Sequence, residues 1–258
     1  MTSLLKAAKE GSASRCRQLL DAGSCVEVRD EDGFTPFLLA ADNGHTEVCE
    51  LLLERGKVNI EEKTLSGDGA LNLAVFKGRA KTVKMLMSKG AMVDTRNNSG
   101  FTLLLSAADE GHVDVCKLLL AVNSNVEERM PSTLYTPLHF AAINGNETII
   151  ELLLSHNADV NSRSKTEATP LHLASQEGHL VAVVALLQAG ADPFLPRQGG
   201  ALPIHQAANK NHSQVARILI EQAGCSPDQV SPVDCPFIVN LSIFGPAAPR
   251  KTTFLTED

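Results

Sequence analysis

The sequence contains no tryptophan and a single tyrosine, so nine phenylalanines supply most of its aromatic side chains. A core with few large rings has to be built from Leu, Val and Ala, which suits helices that stack closely. No stretch reaches the roughly 18 uninterrupted apolar residues of a membrane span. Positive charge is also scarce, since 23 Lys and Arg face 30 Asp and Glu, for a net charge of −7. This balance disfavours nucleic acid as a partner, because phosphates require a basic surface.

The sequence also lacks a secretion signal and the common motifs of catalytic and cofactor-binding sites. The first ten residues include Lys6, Lys9 and Glu10 and contain no apolar segment, so we expect no signal peptide. The six cysteines show no Cys-x-x-Cys spacing, which favours a reducing compartment, the cytoplasm or the nucleus. The sequence has no glycine-rich phosphate loop, nucleophile elbow or catalytic pair of carboxylates. We therefore expect no enzymatic activity, no cofactor and no metal.

Residues that tolerate a left-handed backbone recur along the chain at intervals of 33 or 34 residues. They are Gly11, Gly44, Gly78, Gly111, Gly145, Gly178 and Asn211. Glycine, and after it asparagine, most readily adopts the positive φ that ends a helix. About twelve residues after each of them comes a second residue of this kind, namely Gly23, Gly56, Gly90, Asn123, Asn157, Gly190 and Gly224. The spacing predicts seven repeats, each with two short helices joined by a tight turn.

The apolar residues between these stops keep helical spacing. A pair of small residues such as Ala40-Ala41 precedes each turn, and a pair of large residues such as Leu52-Leu53 follows it by eight and nine positions. Small residues let the first helices of neighbouring repeats lie close together. Because one repeat cannot bury its apolar face alone, stacking must form a continuous core. Truncation of one large residue, as in Leu153→Ala, should cost about 2–5 kcal/mol.

The predicted first helices open with a recurrent motif, complete in Thr136-Pro137-Leu138-His139 and Thr169-Pro170-Leu171-His172. Threonine suits the N-cap and proline the first helical position. With the small pairs and turn glycines, the motif resembles the ankyrin repeat family over about residues 4–228. The resemblance implies an all-α solenoid of about seven helix-turn-helix repeats with projecting β-hairpin loops. Residues 69–72 and 102–105 lack the Pro and His, so the repeats that contain them should be less stable than the others. Expected structural residues are Thr136, Pro137, His139, Thr169, Pro170, His172, Gly44, Gly78, Gly111, Gly145 and Gly178.

The repeats divide the chain into an array and a tail. Their approximate bounds are 1–29, 30–62, 63–96, 97–129, 130–163, 164–196 and 197–228, followed by a proline-containing irregular tail, 229–258. The first repeat resembles a polar cap, whereas the last is as apolar as an internal repeat. Either the tail folds over the last repeat, or the sequence is a fragment or splice form of a longer array. Both alternatives stay open at this point.

Histidine and cysteine side chains are the residues most open to a chemical interpretation. In the family, histidines at the position of His139 bridge backbone groups of adjacent repeats, and those after the turn, such as His45, belong to the scaffold. Cys16, Cys49 and Cys116 share one position, where other repeats carry Val or Ile, and are predicted core residues. We expect these side chains to be structural.

Ankyrin repeats usually bind partners through the loop tips and the exposed positions of the first helices, which line a concave face. The resemblance therefore implies a set of partner-binding residues, and the aromatic ones are candidate hot spots. Alternatively, each tip aromatic packs on its own loop. The set is Phe34, Asp42, Phe76, Lys77, Phe101, Asp109, Glu110, Tyr135, Ile143, Asn144 and Gln176.

These residues predict a non-catalytic adaptor that binds another protein. Acidic residues such as Glu31 and Asp32 in the first half favour a basic or amphipathic partner segment. We expect a monomer in the cytoplasm or nucleus. The alternative is the N-terminal regulatory or targeting array of a larger channel, kinase or ubiquitin-ligase adaptor.

Overall fold

A computed structural model describes residues 3–224, which form fourteen α-helices in seven pairs. The first helices of the pairs are α1 (Ser3–Lys9), α3 (Pro36–Asn43), α5 (Ala70–Phe76), α7 (Leu103–Asp109), α9 (Pro137–Ile143), α11 (Pro170–Glu177) and α13 (Pro203–Asn209). The second helices are α2 (Ala13–Asp21), α4 (Thr46–Leu51), α6 (Ala80–Ser88), α8 (Val113–Ala121), α10 (Glu147–Ser155), α12 (Leu180–Gln188) and α14 (Ser213–Glu221). The predicted tail, 229–258, lies outside the described residues.

The helices form two layers, one of first helices and one of second helices. Each first helix packs against the first helices of the neighbouring repeats, as α9 does against α7 and α11, and each second helix does the same in its own layer. The predicted all-α solenoid is confirmed. No helix among residues 3–224 is both long enough and apolar enough to cross a membrane.

Local sequence explains where the first helices begin. Thr35 Oγ1 accepts a hydrogen bond from the Leu38 amide at 3.3 Å, and Thr102 Oγ1 accepts one from Leu105 at 3.4 Å. These bonds satisfy amides that have no partner within the helix. Proline occupies the first helical position in α3, α9, α11 and α13, where the missing N–H costs nothing.

The core runs through both layers without interruption. In the first helices the small pairs are buried, as Ala40-Ala41 and Ala141-Ala142 illustrate. In the second helices the first large residue of each pair is fully buried from the second repeat onward, as Leu153 is in α10. Cys16, Cys49 and Cys116 are also fully buried. Burial raises the pKa of the Cys49 and Cys116 thiols to about 12, so these side chains act as small apolar residues.

The turn between the two helices of a repeat is bound to the next repeat. Gly78 has φ +66°, and the ring of His112, one repeat later, lies within 3 Å of where a Cβ on Gly78 would stand. His112 Nε2 donates to the Phe76 carbonyl at 2.9 Å, since a carbonyl oxygen can only accept. The same contact recurs from His45, His179 and His212 to the preceding turns. The turn glycine is thus required both by its backbone angle and by the approaching ring.

Two alanine substitutions in the same repeat separate these requirements. Gly78→Ala should lower the free energy of unfolding by about 2–4 kcal/mol, because it adds left-handed strain and places Cβ 2.6 Å from His112 Nδ1. Gly90→Ala should cost only about 1–2 kcal/mol, because Gly90 also has a positive φ but no atom lies within 4 Å of its added Cβ. Urea unfolding of both variants measures the difference. Equal losses would show that the ring contact contributes nothing.

The loops between repeats are compact. A backbone hydrogen bond closes each tip, for example from Asn97 N to the Phe101 carbonyl at 3.1 Å. Among residues 3–224 the antiparallel pairing is limited to isolated bridges, Lys63 with Gly69 and Arg96 with Thr102, so the projecting hairpins are shorter than full strands. Arginines join successive tips, as when Arg129 Nη1 donates to the Arg163 carbonyl at 2.8 Å. The tips therefore form one connected row.

The second repeat departs from the predicted helix stops. Gly56 lacks the expected left-handed conformation, and Lys57 adopts it instead with φ +52°. The 34-residue interval places one extra residue in the second helix, and Leu52–Gly56 absorbs it as a π-helical turn after α4. The other 34-residue interval, before Gly145, is accommodated in a loop tip, where the Leu134 amide donates to the Met130 carbonyl four residues back, whereas the Gly100 amide donates to the Asn97 carbonyl three residues back.

Candidate protein-binding surface

The loop tips and the first helices border one surface, which we call the groove. Its tip row consists of the residue before each helix opening, and it runs Phe34, Asp68, Phe101 and Tyr135 in the second to fifth repeats. Its floor includes the fourth residue of the first helices, which is Leu39, Leu73, Ser106, Phe140 and Leu173 in the second to sixth repeats. The side chains along these two rows decide the shape of the groove.

The groove contains a recess of about 350 Å³ at the second to fourth repeats. It arises where small or polar residues interrupt both rows: Asp68 replaces a tip aromatic, and Ser106 replaces a large floor residue. Apolar and polar side chains therefore share its wall. The lining residues are Phe34, Asp42, Asp68, Asn72, Leu73, Phe76, Lys77, Asn97 and Ser106. Four of the predicted partner-binding residues, Phe34, Asp42, Phe76 and Lys77, are thus brought together.

Charges and rings lie side by side in the recess. Phe76 is 46% exposed, and the Lys77 ammonium lies 5.2 Å from the centre of its ring. The Asp68 carboxylate accepts hydrogen bonds from Asn97 Nδ2 at 3.1 Å and from the Ser66 hydroxyl at 2.6 Å. Within residues 3–224, the half-buried Asp42 carboxylate has neither a hydrogen-bond nor an ion-pair partner. The recess can therefore contact both apolar and cationic groups.

A cluster of aromatic rings follows the recess along the groove. The Phe140 ring centre lies 5.6 Å from that of Phe101 and 5.7 Å from that of Tyr135. Tyr135 also stacks on His139, with ring centres 5.3 Å apart. The three aromatic side chains remain half-exposed. Phe101 therefore packs on α9, the first helix of the next repeat, and Tyr135 packs on the same helix, which belongs to its own repeat. Both residues also border the groove.

The matches to known proteins agree with this geometry. The family model for ankyrin repeats (3 copies) matches residues 1–64, 53–130, 71–164 and 138–231, which together span the whole array. The chain belongs to the ankyrin repeat family. Arrays of this family are protein–protein interaction modules, and their fold is a non-catalytic scaffold.

Solved ankyrin repeat domains share the architecture. The domain of human ASB11 superposes with a TM-score of 0.77 at 26% identity, over 85% of this chain and 97% of that one. The domain of Bcl-3, a member of the IkappaB protein family, gives a TM-score of 0.71 at 25% identity, over 85% and 98%. Both similarities support the number and stacking of the helix pairs.

Curated relatives contain similar arrays in longer proteins. A putative ankyrin repeat protein of fowlpox virus is 33% identical over 159 residues, 59% of this chain and 47% of the viral protein. The Caenorhabditis elegans homologue of transient receptor potential cation channel subfamily A member 1 is 28% identical over 173 residues, 54% of this chain and 14% of the channel. The chain thus spans less than half the length of these relatives.

The other predicted binding residues of the ankyrin array lie along the same edge of the groove. Asp109 is half-buried and Glu110 is exposed at the end of α7, while the exposed Asn144 donates its amide to the Asp109 carbonyl. Burial raises the pKa of Asp109, and a hydrogen bond from Asn144 opposes the shift. Ile143 and Gln176 are half-buried, and their carbonyls accept from His179 and His212.

Sequence reasoning overlooked several residues of the surface. Asp68, Asn72, Leu73, Asn97 and Ser106 line the recess, and Phe140 joins the aromatic cluster. Two of them could have been found from the repeat positions. Asp68 occupies the tip row, and Phe140 lies one turn before Ile143 in α9. Whether the other residues line the recess depends on the gaps that larger neighbouring side chains leave, and the repeat spacing does not show these gaps.

The opening histidines lie inside the scaffold. His139 Nδ1 accepts from the Thr136 amide at 3.1 Å, so Nε2 carries the proton and donates to the Ala168 carbonyl at 3.1 Å. His172 makes the same contacts with the Thr169 amide and the Ala201 carbonyl. Burial lowers the pKa of both rings to about 4. Among residues 3–224 no group of three or more His, Cys, Asp or Glu side chains is placed to hold a metal ion.

Proposed function

We propose that this ankyrin array is an adaptor that holds a segment of a partner protein in the groove, without catalysing a reaction. The observation that carries the proposal is the recess, where the half-exposed Phe76 ring lies among polar groups. Aromatic side chains in such settings are frequent hot spots of binding energy. The adaptor acts as a monomer in the cytoplasm or nucleus.

The partner segment is basic or amphipathic. Apolar rings line the recess and the aromatic cluster, while Asp42, Asp109 and Glu110 lie along the edge of the groove. Opposite charge on the partner speeds association and selects against acidic proteins. The overall charge of −7 acts in the same direction.

Replacing Phe76 with serine should reduce capture of the partner at least tenfold, because it removes an exposed ring of the recess. Cells expressing the tagged chain are subjected to proximity labelling and quantitative pull-down. Phe194→Ser is the matched control, since Phe194 is 44% exposed and does not line the recess. Proteins captured by the wild type and by the control, and lost with Phe76→Ser, are partners of the groove. Equal capture by all three proteins would contradict the proposal.

A second candidate function is the regulatory or targeting array of a larger protein. The length of the curated relatives favours it, since the matched region makes up 14% of the channel homologue and 47% of the fowlpox virus protein. Sequencing full-length transcripts tests this candidate. A reading frame that continues into a channel, kinase or ligase-adaptor region would support it, and a stop codon after Asp258 would contradict it.

A further inference from the structure

The recess joins two aromatic side chains to a carboxylate that lacks a partner within residues 3–224. We propose that it receives an arginine side chain of the partner protein. The proposal rests on the proposed function, because it names the chemical group that the groove binds at this point. The volume of the recess, about 350 Å³, lies near the lower end of the ~300–1,000 Å³ range of small-ligand sites.

The position of Asp42 points to a cation. Asp42 lies in the last turn of α3, which ends at Asn43, and the C-terminal end of a helix carries partial negative charge. A carboxylate at this end is unfavourable unless a positive group neutralises it. The main chain of Asp42 accepts from Arg79 Nε at 3.3 Å, but its side chain has no such contact among the described residues. Arg79 thus already compensates the end of the helix, and a cation in the recess would neutralise the Asp42 carboxylate.

The rings favour a planar cation. The Lys77 ammonium lies over the Phe76 ring, 5.2 Å from its centre, so this face already binds a positive group, and a partner guanidinium would take the place of Lys77 there. Phe34 supplies a second ring to the same recess. A guanidinium stacks on aromatic faces and is less strongly hydrated than an ammonium, so it enters such a site at lower cost.

The polar lining suits the five N–H groups of a guanidinium. The Asp68 carboxylate already accepts from Asn97 and Ser66, but two carboxylate oxygens offer about four acceptor positions in all. Asp42 offers another carboxylate in the same recess. Lysine presents one compact charge, whereas arginine can donate to two carboxylates while it lies against a ring. We therefore assign the recess to arginine.

The test uses the full chain, labelled with ¹⁵N, and two blocked amino acids as probes. N-acetyl-arginine methylamide should shift the amide resonances of residues lining the recess, such as Phe76, Asn97 and Ser106, with millimolar affinity. N-acetyl-citrulline methylamide has nearly the same shape but no charge, and it should bind at least fivefold more weakly. Equal affinity for the two probes, or shifts confined to residues outside the recess, would overturn the assignment.

Substitutions of charged residues that line the recess provide a second test of the arginine assignment. Asp42→Asn should weaken binding of the arginine probe at least fivefold and leave the citrulline probe unaffected. Asp114→Asn is the control for net charge, because Asp114 is 83% exposed on α8 and does not line the recess. Lys77→Ala should strengthen arginine binding, since it removes a positive charge from the lining of the recess. Thermal melting of each variant checks that the fold is intact. An unchanged affinity in Asp42→Asn would contradict the assignment.

These outcomes are distinct from those of the capture experiment. If a partner is lost with Phe76→Ser but retained by Asp42→Asn, the adaptor function stands and the arginine assignment fails. If the arginine probe binds in the recess but Phe76→Ser captures the same proteins as the wild type, the recess binds arginine and the groove does not hold those proteins. Loss of the same partner with both variants supports both proposals.

Discussion

Leu153→Ala is expected to lower the free energy of unfolding by about 2–5 kcal/mol. Leu153 is fully buried in α10, which packs against α8, α9 and α12, so the truncation leaves a cavity shared by three repeats. The close packing of those helices limits how far the cavity can collapse. Equilibrium unfolding in urea measures the loss, and Leu65→Ala, at a site that is 74% exposed, should change stability by less than about 0.5 kcal/mol.

The same variant tests how stability is distributed along the array. In a solenoid each repeat contacts only its neighbours, so damage to α10 should spread mainly to the adjacent repeats. Hydrogen exchange should therefore quicken in α8 and α12 more than in α1 or α2. A uniform loss of protection would indicate that the array unfolds as one cooperative unit. An unchanged midpoint in urea would contradict the continuous core.

The helices and their stacking could be predicted because the same spacing of turn residues and apolar pairs recurs in each repeat. A single Gly-His pair or Ala-Ala pair is weak evidence, but seven registers with matching spacing leave few alternatives. The Thr-Pro openings are equally informative, since cap chemistry is local and does not depend on distant residues. Prediction was strong wherever the physical cause lies within one repeat.

Prediction failed where the chain could absorb an extra residue in more than one way. The sequence has two 34-residue intervals, and nothing local distinguishes them. In the second repeat the helix absorbs the residue, which moves the left-handed position from Gly56 to Lys57. In the other case the loop tip absorbs it between Met130 and Leu134, whose backbone hydrogen bond spans four residues instead of three. Packing against the adjacent repeats decides between helix and loop, and that packing is not visible in the spacing.

The repeat positions predicted residues along the edge of the groove, but they did not predict the recess. Phe34 and Phe76 follow from repeat positions, but the recess depends on Ser106 and Asp68 being smaller than the residues in the same rows. A cavity is defined by what its neighbours leave unfilled, so periodicity alone does not locate it. The aromatic cluster is a similar case, since Phe140 joins Phe101 across two repeats.

Acid should destabilise the array through His139 and His172. Burial holds the pKa of each folded ring at about 4, against an ordinary value of 6.5. Between these pH values the unfolded chain binds protons that the folded chain does not, so the free energy of unfolding falls as the pH falls. The full contribution, about 3 kcal/mol for each ring, is present above pH 6.5 and is lost as the pH approaches 4.

The chain itself supplies a non-titrating substitute for this test. In the third repeat Asn72 stands at the position of His139, and its Oδ1 accepts from the Gly69 amide at 3.2 Å. The double variant His139→Asn/His172→Asn should keep the amides of Thr136 and Thr169 satisfied. It should lose some stability at pH 7, because asparagine is too short to replace the Nε2 bonds to Ala168 and Ala201.

Urea unfolding at several pH values between 4 and 7 separates the two effects. The stability of the wild type should fall more steeply with acid than that of the double variant, so the advantage of the wild type at pH 7 should shrink as the pH falls toward 4. Carboxylates are common to both proteins, so their titration cancels in the difference. His156→Asn, which alters an exposed ring on the second-helix layer, should retain the slope of the wild type. Parallel curves for the wild type and the double variant would mean that the buried rings do not couple folding to pH.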